Sequence, residues 1–368
     1  MNKIKSIVVF RSAALGDFII CLPALQKLRD IFPEYRIILI TIQPYKLNSY
    51  TTGIDSTSTQ SNIPWVQLAT PHLLDKIMEI KNITSLKNLA LIRKELSNLN
   101  ISKSILMLDP CAPLFGRLKK LLLIYFLVGW KPIYGWRDKG WLNLDKALLK
   151  RKGLLRHHVH GPLSFMGELP SPIKYKDDDL KFDLRPSAKA NLWAKQWLHS
   201  NIPPGKRIIA LSPGSIRLHK QWPLSSFKTL MMRLLEKYSD LHIIIIGSPL
   251  DFTLGAELVS LAPNKASNLA GVSTINQSAA ILKNVYLTIA NDGGSAHLAD
   301  AMGSLVISLV SGIEFPDSIE PWHNKTLAIR SNIECAPCYS FEFCPQGHAK
   351  CMKNINVEEV FEKCSRIL

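Results

Sequence analysis

The sequence lacks a long hydrophobic run. Its longest apolar stretch is LLLIYFLVGW, residues 121–130, which is about half of the ~20 residues that a membrane-spanning helix requires. The N-terminal stretch MNKIKSIVVF also shows no signal-peptide pattern, because it runs directly into strand-like residues and no small-residue cleavage site follows. We therefore expect a cytoplasmic protein that does not cross a bilayer.

Acidic residues are scarce relative to basic ones. The chain of 368 residues carries 29 Asp and Glu against 45 Lys and Arg, which gives a formal net charge of +16. This charge favours an anionic partner, such as nucleic acid, a phosphorylated glycolipid or the cytoplasmic leaflet of a membrane. Exposed aromatics interleaved with basic residues, which are typical of RNA-binding sheets, are missing, so we expect no nucleic-acid partner.

The cysteine pattern points away from disulfides. Seven cysteines, an odd number, without an export signal argue for a reducing compartment. Four of these thiols could bind zinc or iron tetrahedrally for a structural purpose, although the later spacings differ from those of common zinc fingers. Four free buried thiols, or disulfides that form only in the purified protein, are the alternative. The four residues lie in the Cys-rich segment 335–351 with the spacing Cys-x2-Cys-x5-Cys-x6-Cys: Cys335, Cys338, Cys344 and Cys351.

Short apolar runs alternate with segments of helical periodicity. Runs such as SIVVF (6–10), RIIALS (207–212) and SLVISLV (304–310) are typical of strands buried on both faces. Segments such as 85–99 and 226–238 carry apolar residues at helical spacing between them. The alternation predicts an α/β protein with parallel, doubly wound sheets.

The chain is too long for one ordinary core, because cores tend to split beyond roughly 250–300 residues. A stretch rich in Gly, Pro and charge interrupts the alternation between about residues 130 and 206, and DDDLKFDL (177–184) reads as the last strand of the first half. We therefore expect domains at 1–185 and 186–368. Ligands of such sheets bind outside the carboxyl ends of the strands, so a cleft between the two domains is the expected site.

The turn at 291–294 is the strongest candidate for a ligand site. In VYLTIANDGGSAHLADAMG a predicted strand ends at Asn291 and Asp292, and Gly293 and Gly294 lead straight into a predicted helix. The free N–H groups at such a helix start bind anions, and glycines let the backbone approach a ligand. A tight turn with Asp292 as helix cap explains the same residues about equally well.

Two further turns follow predicted strands. ALSPGSIRLHKQWP (210–223) offers the Ser215 hydroxyl, backbone donors and Lys220, which together would suit a diphosphate. IIIIGSPLDF (243–252) places Asp251 just after a strand, where a carboxylate can accept hydrogen bonds from ribose hydroxyls. In isolation, a solvated lysine and a helix-start acid are the simpler interpretations.

Asp17 raises the same kind of choice near the N-terminus. In RSAALGDFIICLP (11–23) this acid follows Gly16 at the step from an apolar strand into a helix. It is either a helix cap or a carboxylate with a chemical role, and the residues alone leave both open.

Taken together, these motifs resemble glycosyltransferase family 9, the ADP-heptose:lipopolysaccharide heptosyltransferases. Each motif is weak alone, whereas four in order are specific; residues 42–180 match poorly. The matching positions are Gly16-Asp17, Pro23, Leu28-Arg29 and Phe32-Pro33; Pro213-Gly214, Lys220 and Trp222-Pro223; Asn291-Asp292 through His297-Leu298; and the closing cysteines.

The resemblance implies a GT-B fold, in which two Rossmann-like domains face each other across a cleft. It implies inverting transfer of heptose from ADP-heptose to an anionic glycolipid, the lipopolysaccharide core, with peripheral contact at the inner membrane and no metal required for catalysis. The first domain would hold the acceptor and the second the nucleotide sugar. Asp17 would be the catalytic base, and the donor site would comprise Ser215, Lys220, Asp251, Asp292, Gly293, Gly294 and His297.

Departures from the family pattern keep alternatives open. Gly293 stands where Thr or Ser is usual, and Ser311-Gly312 replaces the usual Gly-Pro. Another nucleotide sugar or a protein acceptor would fit the same fold. A non-catalytic basic scaffold at the membrane surface would also explain the charge and the stretch RLKKLLLIYFLVGW (117–130), although a buried core helix is the favoured interpretation of that stretch.

Overall fold

The computed structural model describes residues 4–11, 14–42, 65–80, 85–107, 114–136 and 156–368. The chain divides into two compact units, Met1–Arg185 and Pro186–Leu368. Each unit is built around one parallel sheet, and each is described by itself below.

The sheet of the first unit has the order β3-β2-β1-β4-β5 among the described residues, and neighbouring strands are parallel. The central strand β1 is buried on both faces, with Ile7, Val8 and Val9 fully inaccessible. Its continuous apolar run reflects that position. The strands are β1 (Lys5–Phe10), β2 (Arg36–Ile42), β3 (Lys76–Ile80), β4 (Asn100–Leu106) and β5 (Ile133–Tyr134).

Helices of the first unit connect and cover these strands. Ser85 caps the third helix, because its hydroxyl accepts a hydrogen bond from the Asn88 N–H at 3.3 Å. A 3-10 turn at Val66–Ala69 precedes β3. The helices are α1 (Leu15–Ile20), α2 (Leu22–Ile31), α3 (Leu86–Ser97), α4 (Leu114–Val128), α5 (His160–Leu163) and α6 (Phe165–Glu168).

The predicted strand at 177–184 is wrong. Asp177–Asp179 form one 3-10 turn, and residues 180–184 form no strand with the described part of the sheet. Leu180, Phe182 and Leu184 are buried while Lys181 is exposed, so the alternation is real. The backbone at the end of this segment instead forms a hydrogen bond with the 3-10 turn before β3, since the Arg185 N–H donates to the Leu68 carbonyl at 2.9 Å.

The second unit repeats the strand order of the first. Its sheet runs β10-β9-β6-β7-β8, again with parallel neighbours. The core packs Trp222, Phe227 and Leu230 against the inner strands. The strands are β6 (Arg207–Ser212), β7 (Leu241–Ile245), β8 (Ala266–Asn268), β9 (Leu287–Asn291) and β10 (Leu305–Leu309).

One helix precedes the first strand of the second unit, and at least one helix follows each strand. Thr274 begins α10 with a capping box, in which its side chain and that of Gln277 each bond the other's backbone N–H. The helices are α7 (Ala188–Asn201), α8 (Leu224–Lys237), α9 (Phe252–Ser260), α10 (Ile275–Leu282), α11 (Gly294–Ala301), α12 (Lys350–Lys353) and α13 (Val357–Ile367).

Each sheet therefore reverses its winding at one place. In the first unit this switch point lies between β1 and β4, and in the second between β6 and β9. The loops that leave these strands diverge to opposite sides and open a crevice at the carboxyl ends, where ligands of open α/β sheets bind. The candidate residues should accordingly be sought after β1, β6 and β9.

Candidate functional site

Asp17 lies at the switch point of the first sheet, in the first turn of α1 just after β1. Its side chain is exposed. Among the described residues, its carboxylate has neither a hydrogen-bond donor nor a cationic partner, and it does not cap the helix. The carboxylate is therefore open to an external group.

Arg11 fixes the backbone around Asp17. This buried arginine directly follows β1, and its Nη2 donates to the Asp17 carbonyl oxygen at 3.4 Å. Its Nη1 donates to the Met107 carbonyl at 3.3 Å, which lies just beyond β4. One guanidinium thus joins the ends of the two strands that flank the switch point to the first turn of α1.

Asn291 ties together the two loops at the switch point of the second sheet. Its Nδ2 donates to the Pro213 carbonyl at 2.6 Å, after β6, and its Oδ1 accepts the Trp222 N–H at 3.0 Å. The Trp222 indole donates to the Ile355 carbonyl at 2.9 Å. The predicted turns at 213–223 and 291–294 are therefore brought together by hydrogen bonds from one buried amide.

A buried ion pair lies in this loop cluster. The Lys220 Nζ is 2.9 Å from the Asp292 Oδ2, and both side chains are about nine-tenths buried. The buried Ser311 hydroxyl donates to the same carboxylate oxygen at 2.7 Å. The structure thus brings together two predicted donor residues and adds a serine that follows β10.

Burial raises the pKa of Asp292, but the Lys220 ammonium, the Ser311 hydroxyl and the nearby Arg330 charge outweigh it and hold the pKa below its usual range. Asp292 is therefore ionised at neutral pH and keeps Lys220 in place. His219 adds no competing charge, because burial and the neighbouring Lys220 and Arg217 lower the pKa of its imidazole.

Arg330 holds the loop that carries Ser311. Its Nη1 donates to the carbonyls of Ser311 at 2.8 Å and Glu314 at 3.0 Å, and its Nε donates to the Glu320 carboxylate at 2.7 Å. The arginine thus fixes the backbone on one side of Asp292 while its charge favours the ionised carboxylate.

Gly293 and Gly294 begin α11 beside the ion pair. The helix spans eight residues, Gly294–Ala301, with Gly293 at its N-cap, so its first N–H groups lie next to Lys220 and Asp292. A Cβ built on Gly293 would meet no atom nearer than the Asn291 carbonyl at 3.9 Å. His297 lies one turn into the helix and is buried.

Asp251 has a structural task in the same cluster. Its Oδ2 accepts hydrogen bonds from the Ser248 N–H and hydroxyl, both at 2.7 Å. A Cβ on Gly214 would lie 1.9 Å from its Oδ1, so the carboxylate packs against the turn after β6. Ser215 follows in this turn, and its hydroxyl accepts the Arg217 N–H at 3.4 Å.

The Cys-rich segment packs against the loop after β10. The Cys338 N–H donates to the Gly312 carbonyl at 3.0 Å, and a Cβ on Gly312 would lie 3.1 Å from the Cys351 Cβ. Burial raises the pKa of Cys351, with smaller contributions from Cys344, Cys338 and Cys335. Backbone N–H groups nevertheless lower the pKa of Cys344, against the effect of its burial.

In the part of the chain that the structure describes, no three His, Cys, Asp or Glu side chains are arranged to hold a metal ion. The four thiols as placed do not form the tetrahedral set that zinc or iron requires. The geometry gives no support to the predicted structural metal, which stays a hypothesis based on spacing.

Sequence reasoning assigned no role in the site to three residues: Asn291, Ser311 and Arg330. Asn291 was recognised as part of the motif at 291–298, but only as the end of a strand. Ser311 was visible only as a departure from the family pattern. Arg330 lies 38 residues beyond Asp292 in the chain, and the residues next to it in the sequence do not indicate a contact with the Ser311 loop.

A comparison with known protein families decides the classification. The family described as Glycosyltransferase family 9 (heptosyltransferase) matches residues 117–347, well over half of the chain. The chain belongs to glycosyltransferase family 9. The resemblance carried by the sequence motifs is thereby confirmed.

Curated heptosyltransferases that match this chain share about a quarter of their residues with it. Lipooligosaccharide heptosyltransferase 2 of Campylobacter jejuni is 27% identical over 170 residues, which is 45% of this chain and 52% of that protein. The chain thus spans about half the length of this curated relative.

Solved structures match almost the whole chain. A family 9 glycosyl transferase from Veillonella parvula superposes with a TM-score of 0.72 at 17% identity, over 99% of this chain and 97% of that one. The Escherichia coli heptosyltransferase WaaC, solved with ADP, gives 0.63 at 14% identity, over 99% and 100%. These matches and the two parallel sheets confirm the predicted fold class, α/β of the GT-B type.

Proposed function

We propose that this chain is an inverting glycosyltransferase that moves heptose from ADP-heptose to a lipopolysaccharide core acceptor. The observation that carries the proposal is the Lys220–Asp292–Ser311 cluster beside the start of α11, in a chain of family 9. A cation beside free helix N–H groups at a switch point is suited to a nucleoside diphosphate.

The donor diphosphate would lie against α11. The N–H groups at Gly293 and Gly294 would bind its oxygens, and Lys220 has ammonium protons left after its bond to Asp292. When the bond between the sugar and the diphosphate breaks, negative charge grows on the leaving ADP, and these donors would stabilise it. Ser215 and His297 complete the proposed donor site, and Asp251 would reach the ribose through its Oδ1.

Asp17 would act as the general base. Its carboxylate is exposed and has no partner among the described residues, as a base that must meet an external hydroxyl requires. It would take the proton from the acceptor hydroxyl as that oxygen attacks the anomeric carbon. The bond between that carbon and the diphosphate oxygen breaks, and ADP departs with the electron pair.

The acceptor would be an anionic glycolipid bound by residues 1–185, and the donor would be bound by residues 186–368. The formal charge of +16 favours a phosphorylated acceptor and peripheral contact with an anionic leaflet. Among the described residues, no helix is long and apolar enough to cross a membrane. The proposed transfer uses none of the four clustered cysteines.

Asp17→Asn tests the mechanism. We expect it to lower kcat by about 10²–10⁴-fold, because a general base contributes that much, while ADP still binds. The measurement is ADP release from ADP-heptose with a heptose-free lipopolysaccharide acceptor. Asp30→Asn is the control, since Asp30 is another exposed aspartate of the first unit. Near-normal turnover by Asp17→Asn would exclude this residue as the base.

A panel of nucleotide sugars tests the donor. A ligand that binds only the folded state raises thermal stability, and we expect ADP-heptose to do so more than UDP-sugars. Lys220→Ala should weaken this effect. Stabilisation by a UDP-sugar alone would indicate another glycosyltransferase, and stabilisation by none would favour a non-catalytic scaffold.

A further inference from the structure

Helix α4 presents two different apolar faces. Leu121, Ile124 and Leu127 are buried in the core that the helix shares with α3. On the other side, Leu118, Leu122 and Phe126 are 47%, 70% and 40% exposed. The expectation of a buried core helix is therefore correct for only one face.

The exposed apolar residues form a continuous stripe. Leu118, Leu122 and Phe126 are spaced by four, so they lie on one side of the helix. Gly129, with a φ of +76°, then ends α4, and Trp130 beyond it is 89% exposed while its ring lies 4.7 Å from that of Tyr125. Single exposed apolar residues are common, but an aligned row of this kind marks an interaction surface.

The charged residues of α4 itself are all basic. The α4 sequence LFGRLKKLLLIYFLV contains no acidic residue. The Arg93 guanidinium from α3 lies 5.0 Å from the centre of the Phe126 ring, and Lys131 is exposed directly after Trp130. A surface that complements these residues must combine apolar and anionic groups.

A groove adjoins the end of the stripe. It has a volume of about 310 Å³ and lies between the C-terminal turns of α3 and α4 and the start of β4. Its polar lining comprises Arg93, Ser97, Asn100 and Lys131, with no acidic side chain among the described residues that line it. Two cations and two neutral polar groups in one groove are suited to a phosphate.

We propose that α4, Trp130 and the groove beside them form a docking face for an anionic phospholipid surface. The stripe enters the boundary of the acyl chains, Trp130 lies at the headgroup level, and Arg93 and Lys131 bind lipid phosphates. At 15 residues, α4 lies in the plane of the leaflet, because a spanning helix needs ~20. The inference rests on the proposed function in that it names the surface for the proposed membrane contact.

A partner protein is the less suitable occupant. A partner protein would need carboxylates at fixed positions opposite Arg93 and Lys131. A leaflet instead offers mobile phosphates above a continuous apolar layer. The membrane assignment would be overturned if the wild-type protein bound no vesicles but self-associated as its concentration rose, and if Leu122→Glu abolished that self-association.

The first test is co-sedimentation of the full chain with vesicles of phosphatidylcholine alone and of phosphatidylcholine mixed with phosphatidylglycerol. We expect binding to the mixed vesicles only. Leu122→Glu should weaken this binding by about tenfold, because a charge replaces an inserted leucine. The matched control is Leu192→Glu, since Leu192 on α7 is 57% exposed and the charge change is the same.

The second test concerns the cations. The pair Arg93→Gln and Lys131→Gln should weaken binding to the mixed vesicles by about fivefold for each charge removed. Lys189→Gln with Lys195→Gln, two exposed lysines of α7, removes the same charge elsewhere. If both double variants lost the same amount of vesicle binding, only the net charge would matter, and the proposal of a docking face would be wrong.

A third measurement separates this inference from the proposed function. Leu122→Glu should transfer sugar to a water-soluble, lipid-free acceptor at the wild-type rate. Wild-type protein that binds mixed vesicles but transfers nothing would contradict the proposed function alone. Normal vesicle binding by folded Leu122→Glu would overturn the docking face alone, and Leu122→Ser provides the same comparison if the glutamate variant does not fold.

Discussion

Gly214 and Gly293 lie in the two loops tied together by Asn291, and they lack side chains for different reasons. A Cβ on Gly214 would enter the Asp251 carboxylate, whereas a Cβ on Gly293 would meet nothing within ordinary contact distance except the Asn291 carbonyl. The backbone of Gly293 is also extended, with a φ of 175°, which any residue adopts. Only the first glycine is required by packing.

Gly214→Ala should lower the free energy of unfolding by about 1–3 kcal/mol, the usual cost of overpacking. The carboxylate cannot move away freely because Ser248 holds it with two hydrogen bonds. The measurement is urea unfolding of a double-mutant cycle. In the Asp251→Ala background the cost of Gly214→Ala should largely disappear, and an unchanged cost would show that the clash is not with Asp251.

Gly293→Ser should leave the thermal midpoint nearly unchanged, because the space for its side chain exists. It would add the hydroxyl that the sequence resemblance leads us to expect at this position. If the diphosphate lies at α11, the added hydrogen bond to a charged group should tighten ADP-heptose binding by about tenfold. Isothermal titration with Gly167→Ser as a control, at a glycine of the first unit whose added Cβ would meet no atom within 4 Å, checks this, and an unchanged Kd would argue against the proposed donor position.

At the scale of elements, α11 connects the proposed donor site to a hydrogen-bonded Asp300–His323 pair. Asp300 near the end of this helix accepts hydrogen bonds from the His323 N–H at 3.1 Å and Nδ1 at 3.0 Å, and from the Asn324 side chain at 2.6 Å. The hydrogen bond that the His323 imidazole donates to the Asp300 carboxylate raises the pKa of His323, against the effects of burial and of the Lys325 charge.

This pair predicts a pH dependence of stability. A raised folded-state pKa means that the stabilisation is complete below the unfolded pKa of about 6.5 and is lost as pH rises through the folded value. The free energy lost on His323→Gln should therefore be larger at pH 6 than at pH 8, within about 1 kcal/mol because His323 is half exposed. Urea unfolding at several pH values measures it. In an Asp300→Asn background the pH dependence should vanish.

The sequence predicted the central strands and one of the four edge strands. SIVVF and RIIALS correspond to the central strands β1 and β6, and SLVISLV corresponds to the edge strand β10; each run lies within one residue of the observed strand. Lys76–Ile80, Ile133–Tyr134 and Ala266–Asn268 were not predicted. All three lie at the edges of their sheets and are short or mixed in polarity, so they carry no strong periodic signal.

Periodicity also misled the prediction at 177–184. Leu180, Phe182 and Leu184 alternate in burial as in a half-buried strand, but strand formation also needs a neighbour with free backbone groups. The same limit applies to the site. The local sequence identified Lys220 and Asp292, whereas Ser311 and Arg330 join them only through tertiary contacts.

At the scale of the whole molecule, nucleotide binding should protect the backbone amides of one half of the chain from hydrogen exchange. All proposed donor residues lie in Pro186–Leu368. We expect ADP to slow amide hydrogen exchange most strongly in the segments 213–223 and 291–297, and to stabilise the fold by about 2.7 kcal/mol at 100 times its Kd. UDP serves as the control nucleotide. Protection confined to residues 4–136 would contradict the proposed assignment of the two units.

The two sheets share one strand order, with the first strand of each at the centre. In the proposed enzyme, the base follows the first strand of one sheet, and the groups for the leaving nucleotide follow the first and fourth strands of the other. Selection can therefore alter the recipient of the sugar through changes in the N-terminal half alone. New acceptor preferences would then arise during evolution without rebuilding the apparatus that holds the activated sugar.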